Sequence, residues 1–152
     1  GKELVVYISM GFGNPYGDEW SVEIAANRVQ EIADLGVKII SLADTVGSAE
    51  AESIAFLFQK LIPQFPAIEF GAHFHDLPEA RKIKLKAAFD NGCRRFDSAM
   101  QGIGGCPFAK EELVGNIATE TLYKFAIENG ENLGLNEELF LESSAFAAKL
   151  FL

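Results

Sequence analysis

The sequence predicts an α/β fold, the carboxyl-terminal half of a (β/α)₈ TIM barrel: four parallel strands with their helices, then a helical extension. Three observations predict it. Short apolar runs rich in β-formers alternate with stretches of helical period, and strands separated by helices imply parallel crossover units. The segment Leu35–Ala43 (LGVKIISLA) is echoed by Asn91–Ala99 (NGCRRFDSA), an offset of 56 residues from position 35 to position 91, which is the span of two ordinary βα units. No Gly-x-Gly-x-x-Gly follows the first strand, which argues against an open doubly wound sheet. Four strands are half of a closed eight-stranded barrel. Residues 1–152 are therefore expected to form a single half-barrel domain, with the helical extension covering about 134–152.

The elements follow in order. Leu4 to Ser9 reads as a buried strand. Gly11, Gly13, Asn14, Pro15 and Gly17 make a loop, and Ser21 is placed to cap a helix. In that helix Val22, Ala25, Ala26, Val29, Ile32 and Ala33 form the apolar stripe, and Gly36 suits its carboxyl end. Val37 to Leu42 is the second strand. A helix from about Glu50 to Ile62 carries Ile54, Ala55, Phe58 and Leu61 on one stripe and is expected to stop at Pro63. Ile68 to His73 is the third strand, and Pro78 opens the third helix, which Gly92 follows. Arg94 to Ser98 is the fourth strand, and a Gly-rich loop covers Gln101 to Pro107. Two more helices are expected, from about Gly115 to Glu128 and from Asn136 to Leu150.

The bulk numbers exclude several function classes. Hydrophobic residues make up 49% and charged ones 23%, the balance of a globular domain. A net charge of −9 argues against a nucleic-acid partner. No apolar run approaches the roughly 20 residues of a membrane span, and no charged-then-apolar leader opens the chain. Two cysteines, Cys93 and Cys106, make no disulfide framework and suit a reducing compartment, either a bacterial cytoplasm or a mitochondrial matrix. The chain starts at Gly1 and is already in a strand-like run by Val5, so a fragment of a longer protein is expected.

Four places carry residues suited to chemistry. His73 and His75 are the only histidines, two apart near a strand end, so period-two alternation puts both rings on one face and Phe74 on the other. The end of a strand is the catalytic mouth of a βα barrel, where two imidazoles can share a divalent cation. The competing reading is a pair satisfied by ordinary hydrogen bonds. Gly102-Ile103-Gly104-Gly105-Cys106-Pro107 is a loop free to adopt positive φ. Its thiol either moves protons or is incidental to a plain loop. Cys93 reads as core. Asp44-Thr45 follows the second strand at the histidine end, where the carboxylate binds substrate, orients a water or caps the next turn. Gly115-Asn116 is read as opening a helix, with Asn116 as cap or as an oxygen donor to a metal. Asp97-Ser98 receives no role.

Taken together these segments resemble the hydroxymethylglutaryl-CoA lyases, a branch of the metal-dependent lyases and synthases built on a (β/α)₈ barrel. The resemblance rests on Tyr7-Ile8-Ser9 with Pro15-Tyr16, Ile40-Ser41-Leu42-Ala43-Asp44-Thr45-Val46-Gly47, and His73-Phe74-His75-Asp76. It continues through Asp97-Ser98, Gly102-Ile103-Gly104-Gly105-Cys106-Pro107-Phe108-Ala109 and Gly115-Asn116-Ile117-Ala118-Thr119-Glu120. Order and spacing hold along nearly the whole chain. The condensing synthases of the family are similar at His-x-His but carry Gly-x-Gly-Glu-Arg where this chain has Gly104-Gly105-Cys106.

The resemblance implies roles. His73, His75 and Asn116 would ligate a divalent cation, magnesium or manganese, with zinc also compatible with the ligand types. Cys106 would take part in proton transfer, His73 would help move the substrate hydroxyl proton, and Asp44 and Thr45 would line the pocket for an acyl-CoA substrate. The reaction implied is retro-Claisen cleavage of 3-hydroxy-3-methylglutaryl-CoA to acetoacetate and acetyl-CoA, a step of leucine catabolism and ketone-body formation. Two departures stand out. The segment Lys110–Val114 is longer and more acidic than the family's usual small-residue stretch. The Asp-Arg-Glu motif of the family's first strand, whose Asp binds metal and whose Arg stabilises the enolate, has no counterpart in this chain. The chain by itself is therefore expected to be inactive or nearly so. A half-barrel leaves two strand edges open, so homo-oligomerisation that closes the sheet is expected. Three alternatives are a lyase for another 3-hydroxy-acyl thioester, a condensing synthase, and a non-catalytic folding or interaction module.

Overall fold

A computed structural model describes residues 1–76, 81–105 and 114–151, with Asp76 described in its backbone alone. Four strands, β1 (Val5–Ile8), β2 (Ile39–Asp44), β3 (Glu69–Asp76) and β4 (Arg95–Phe96), form a parallel open sheet in chain order. A fifth, β5 (Gly115–Asn116), pairs antiparallel with the end of β3. The helices are α1 (Val22–Asp34), α2 (Ala51–Gln64), α3 (Arg81–Asp90), α4 (Thr119–Glu128) and α5 (Glu137–Phe151), with a 3₁₀ turn over Met100–Gly102.

The two faces of the sheet differ as strand alternation requires. The back face carries Ile40, Leu42, Phe70, Ala72 and Phe74, all buried. Against it pack Ala25 and Val29 of α1, Ile54, Leu57, Phe58 and Leu61 of α2, and Leu85 and Ala88 of α3. Each large side chain removed from water here contributes about 1.5–3 kcal/mol. The front face holds Tyr7, Ser41, Ala43, Gly71, His73, His75 and Arg95, set side by side by the parallel register Tyr7↔Ser41↔Gly71↔Arg95 and Ala43↔His73. This polar face would line the interior of a closed barrel.

Local chemistry explains three helix ends. The Ser21 hydroxyl accepts from the Ile24 amide at 3.2 Å and starts α1, and Gly36 takes φ 87° behind it. Asn136 caps α5 by accepting from Leu139 N at 3.0 Å. The echo of the sequence is structural, since β2 begins at Ile39 and β4 at Arg95, again 56 apart.

Three expectations are corrected. Pro63 does not stop α2, which runs to Gln64 and closes with Phe65 N on Leu61 O; in the last turn a proline forfeits a single amide donor. β3 extends beyond His73 through Asp76, so both histidines sit within it. Gly115-Asn116 does not open a helix: it is β5, and α4 begins at Thr119. A Cβ on Gly115 would meet the carbonyl of Gly102 at 2.9 Å, and the tight approach is satisfied by an extended pair alongside β3. Pro78, expected to open α3, lies outside the described residues.

Candidate functional site

Both imidazoles project from the front face of β3, with ring centroids 4.8 Å apart and planes at 78°. Each is held through Nδ1. His75 Nδ1 lies 3.1 Å from the backbone carbonyl of Asp44, which can only accept, so His75 donates and its Nε2 carries the lone pair. His73 Nδ1 lies 3.2 Å from Asp97 Oδ2, and the Tyr7 ring meets His73 edge-on at 5.7 Å. With Nδ1 facing a carboxylate, Nε2 is the second ring nitrogen of His73 and points away from Asp97. Such outer partners set tautomer and ring direction at metal-ligating histidines.

Burial and hydrogen bonding set the electrostatics of this face. Burial lowers the pKa of His75, with the bond to the Asp44 carbonyl opposing it, so the ring stays neutral near pH 7. Asp97 is lowered overall: burial pushes it up, but hydrogen bonds from His73 and Tyr7 and the charge of Arg95 outweigh that. Tyr7 is raised by burial and by the Asp97 carboxylate beside it.

Asn116 joins the histidines through register, being the antiparallel partner of His75 and on the same face. Its Nδ2 donates to Ile103 O at 2.8 Å and its backbone N to Gly104 O at 3.1 Å, so Oδ1 is the remaining acceptor. The Gly-rich loop is thereby stitched to a site residue. Gly102, at φ 67°, has no room for a side chain, since a Cβ would meet Asn116 O at 2.8 Å. Gly105 bridges to Gly115, which brings the loop to the residue before Asn116. Cys106 itself lies outside the described residues. Among those described, no group of three or more His, Cys, Asp or Glu is placed to hold a metal. Two imidazole nitrogens and an amide oxygen fit a divalent cation as part of a ligand set, short of its acidic member.

Asp44 and Thr45 are differently placed from the histidines. Asp44 points to the helical side, where Oδ2 accepts from Lys84 Nζ at 2.6 Å and Oδ1 from Ala49 N at 3.1 Å. Its side chain is 2% exposed and that of Lys84 6%. Thr45 Oγ1 accepts from Met10 N at 2.9 Å and ties the loop after β1 to the loop after β2. Asp44 thus reaches the site through its backbone carbonyl, not its carboxylate.

Sequence reasoning missed three contributors. Asp97 holds His73, and the echo that pairs it with Ser41 was the available signal. Lys84 anchors Asp44 from a helix whose pattern reads as surface. Glu120 accepts from both the backbone N and the Nε2 of Gln101, each at 3.0 Å, and Gln101 Nε2 also donates to Ser144 Oγ at 2.9 Å. This clamp holds Gln101 at φ 59° at the root of the Gly-rich loop. Two grooves of the described surface lie elsewhere, between α3 and α4 and beside β4, and neither histidine lines them.

Comparison with known proteins bears on this arrangement. The model of the HMGL-like family matches residues 6–146. A hydroxymethylglutaryl-CoA lyase of Pseudomonas mevalonii is 33% identical over 132 residues, covering 87% of this chain and 44% of that protein. An (R)-citramalyl-CoA lyase of Chloroflexus aurantiacus is 37% identical over 122 residues, covering 80% and 38%. The crystal structure of the HMG-CoA lyase from Brucella melitensis superposes with a TM-score of 0.85 at 26% identity, covering 97% of this chain and 52% of that one. An HMG-CoA lyase from Acinetobacter baumannii, solved with coenzyme A and 3-methylmalate, gives a TM-score of 0.80 at 29% identity over 92% and 46% of the two chains. The chain thus spans about half the length of the relatives it matches.

Proposed function

This chain belongs to the HMGL-like family, and from that premise we propose that it forms the His/Asn side of the active site of an acyl-CoA carbon–carbon lyase. The substrate proposed is 3-hydroxy-3-methylglutaryl-CoA, cleaved to acetoacetate and acetyl-CoA. The observation that carries the reading is the shared front face: His73 and His75, each turned by an Nδ1 bond, beside Asn116.

His73, His75 and Asn116 would hold a divalent cation, magnesium or manganese. When bound, that ion supplies Lewis-acid polarisation of the substrate hydroxyl and a neighbouring oxygen. His73 Nε2 would serve one of two roles, cation ligand or base; as base, backed by Asp97 at Nδ1, it would help take the hydroxyl proton as the carbon–carbon bond breaks. Cys106, by resemblance, would return a proton to the acetyl-CoA enolate. Asp44 and Thr45 would shape the pocket wall through the contacts that pin the loops after β1 and β2. The remaining acidic ligand and the enolate-stabilising arginine would come from a second half-barrel, and 1–152 would act as one half-barrel domain. A second copy closing the two open strand edges is proposed as the state of the chain alone, with a monodisperse monomer in sedimentation the refuting result. Residence in a bacterial cytoplasm or mitochondrial matrix accords with relatives described as cytoplasmic and mitochondrial. Among the described residues no helix is long and apolar enough to cross a membrane.

The 37% identity to a citramalyl-CoA lyase favours one second reading, cleavage of a different 3-hydroxy-acyl thioester. Co-expression with the amino-terminal half of the Pseudomonas mevalonii relative tests both. Cleavage of 3-hydroxy-3-methylglutaryl-CoA dependent on His73 is expected. Preference for citramalyl-CoA would move the assignment to the second reading, and no turnover of either thioester by an assembled barrel would refute both.

A further inference from the structure

Lys84 is almost wholly buried on α3, behind the sheet, and among the described residues its ammonium gathers three oxygens from the site's framework. Asp44 Oδ2 lies at 2.6 Å, Gly47 O at 2.9 Å and His75 O at 3.3 Å. The same stretch of backbone closes a ring around His75. The Asp44 carbonyl accepts both the His75 Nδ1 proton, at 3.1 Å, and the Gly47 amide, at 3.2 Å. Gly47 sits at φ 75°, where a Cβ would stand 3.0 Å from His75 O. The carbonyls of Gly47 and His75 thus converge, and two such dipoles stay together in a dry interior when a cation neutralises them. Here the ammonium also fixes the backbone on both sides of the His75 bond.

We propose that Lys84 is a positioning residue: it locks the Asp44–Gly47 turn against the His75 backbone, so that the Asp44 carbonyl keeps the Nδ1 proton and Nε2 is presented on the front face. The inference rests on the lyase reading only for its purpose. The geometry is a property of the chain alone, and so is the test.

Histidine-ring ¹⁵N NMR on the labelled, metal-free chain reads each tautomer directly. In the wild type His75 is expected with a pyrrole-type Nδ1 and a pyridine-type Nε2. In Lys84→Met that pattern should be lost to an averaged tautomer mixture, while His73, facing Asp97, keeps its own signals. Because Lys84→Met strands the Asp44 carboxylate, the neutral pair Lys84→Met/Asp44→Asn is measured beside it, and loss of the His75 pattern in that folded variant supports the proposal equally. A folded variant with an unchanged His75 pattern overturns it, as does a wild-type His75 protonated at Nε2. Unfolding of both variants makes Lys84 a determinant of stability instead of position and also overturns it. The lyase reading stands or falls separately, on thioester turnover by the assembled barrel.

Discussion

Asp97→Asn tests the coupling between the front-face carboxylate and His73. The pair is 3.2 Å apart, with side chains 29% and 27% exposed, so solvent screens it only in part. A hydrogen bond to a charged group contributes about 1.5–3 kcal/mol. Loss of such an outer partner weakens metal binding at a histidine by about 10–100-fold, which is 1.4–2.8 kcal/mol at about 1.4 kcal/mol per tenfold. The two scales agree. Asn keeps the shape and an accepting oxygen but drops the charge, so Asp97→Asn should fall near the tenfold end and Asp97→Ala near the hundredfold end. The assay is a Mn²⁺ titration followed by the free-ion EPR signal, with His73→Ala as the null. Asp90→Asn is the control, since Asp90 pairs with Lys86 on the exposed side of α3. If both Asp97 variants bind within twofold of wild type while His73→Ala does not bind, the carboxylate does not orient the ring and the reasoning fails.

The other predictions concern the elements around this pair. Burial drives the Cys93 thiol up to about 12, so in Cys106→Ala a thiol reagent at pH 8 should label nothing until denaturant is added; rapid native labelling would contradict the burial. His75 is depressed by burial, so its contribution to stability is full above the ordinary histidine value of about 6.5 and is lost as pH falls from there toward the folded value. Thermal melts should drop between pH 7 and pH 5, and His75→Gln should flatten that slope; an unchanged slope would assign it elsewhere. Gly47→Ala forces a side chain into the left-handed region against His75 O, at about 1–2 kcal/mol for the backbone alone, and urea melts showing no loss would refute the packing described.

Much of the fold was legible because it is written in local periodicity. The stripe Ala25, Val29 and Ile32 repeats at the helical interval, and the Ile39–Leu42 run has the length and β-branching of a buried strand. Caps at Ser21 and Asn136 act within three residues. Element type failed where a long-range contact overrides local preference. Gly115-Asn116 looks like a helix start until β3 offers it an edge, and Arg94–Ser98 shortens to Arg95–Phe96, the two residues in register with Gly71 and Ala72 of β3. Residues of the site that were found by motif and those missed divide along the same line. His73, His75 and Asn116 carry recognisable spacing, whereas Lys84 sits in the pattern RKIKLK, where nothing local separates one buried ammonium from its exposed neighbours.

Sequence alone determined that His73 and His75 share a face with Phe74 turned to the core, because strand alternation is a property of the backbone and needs no partner. It also set glycine at Gly102 and Gly104 of the loop, where φ is positive. Tertiary structure alone decided what each imidazole leans on. The parallel register of β2 with β3 brings the Asp44 carbonyl to His75, the segment after β4 brings Asp97 to His73, and the antiparallel pairing with β5 brings Asn116 opposite His75. It also turned the Asp44 carboxylate away, to Lys84. These contacts join residues 24 to 41 positions apart, so they depend on register between separate segments, which no local pattern encodes.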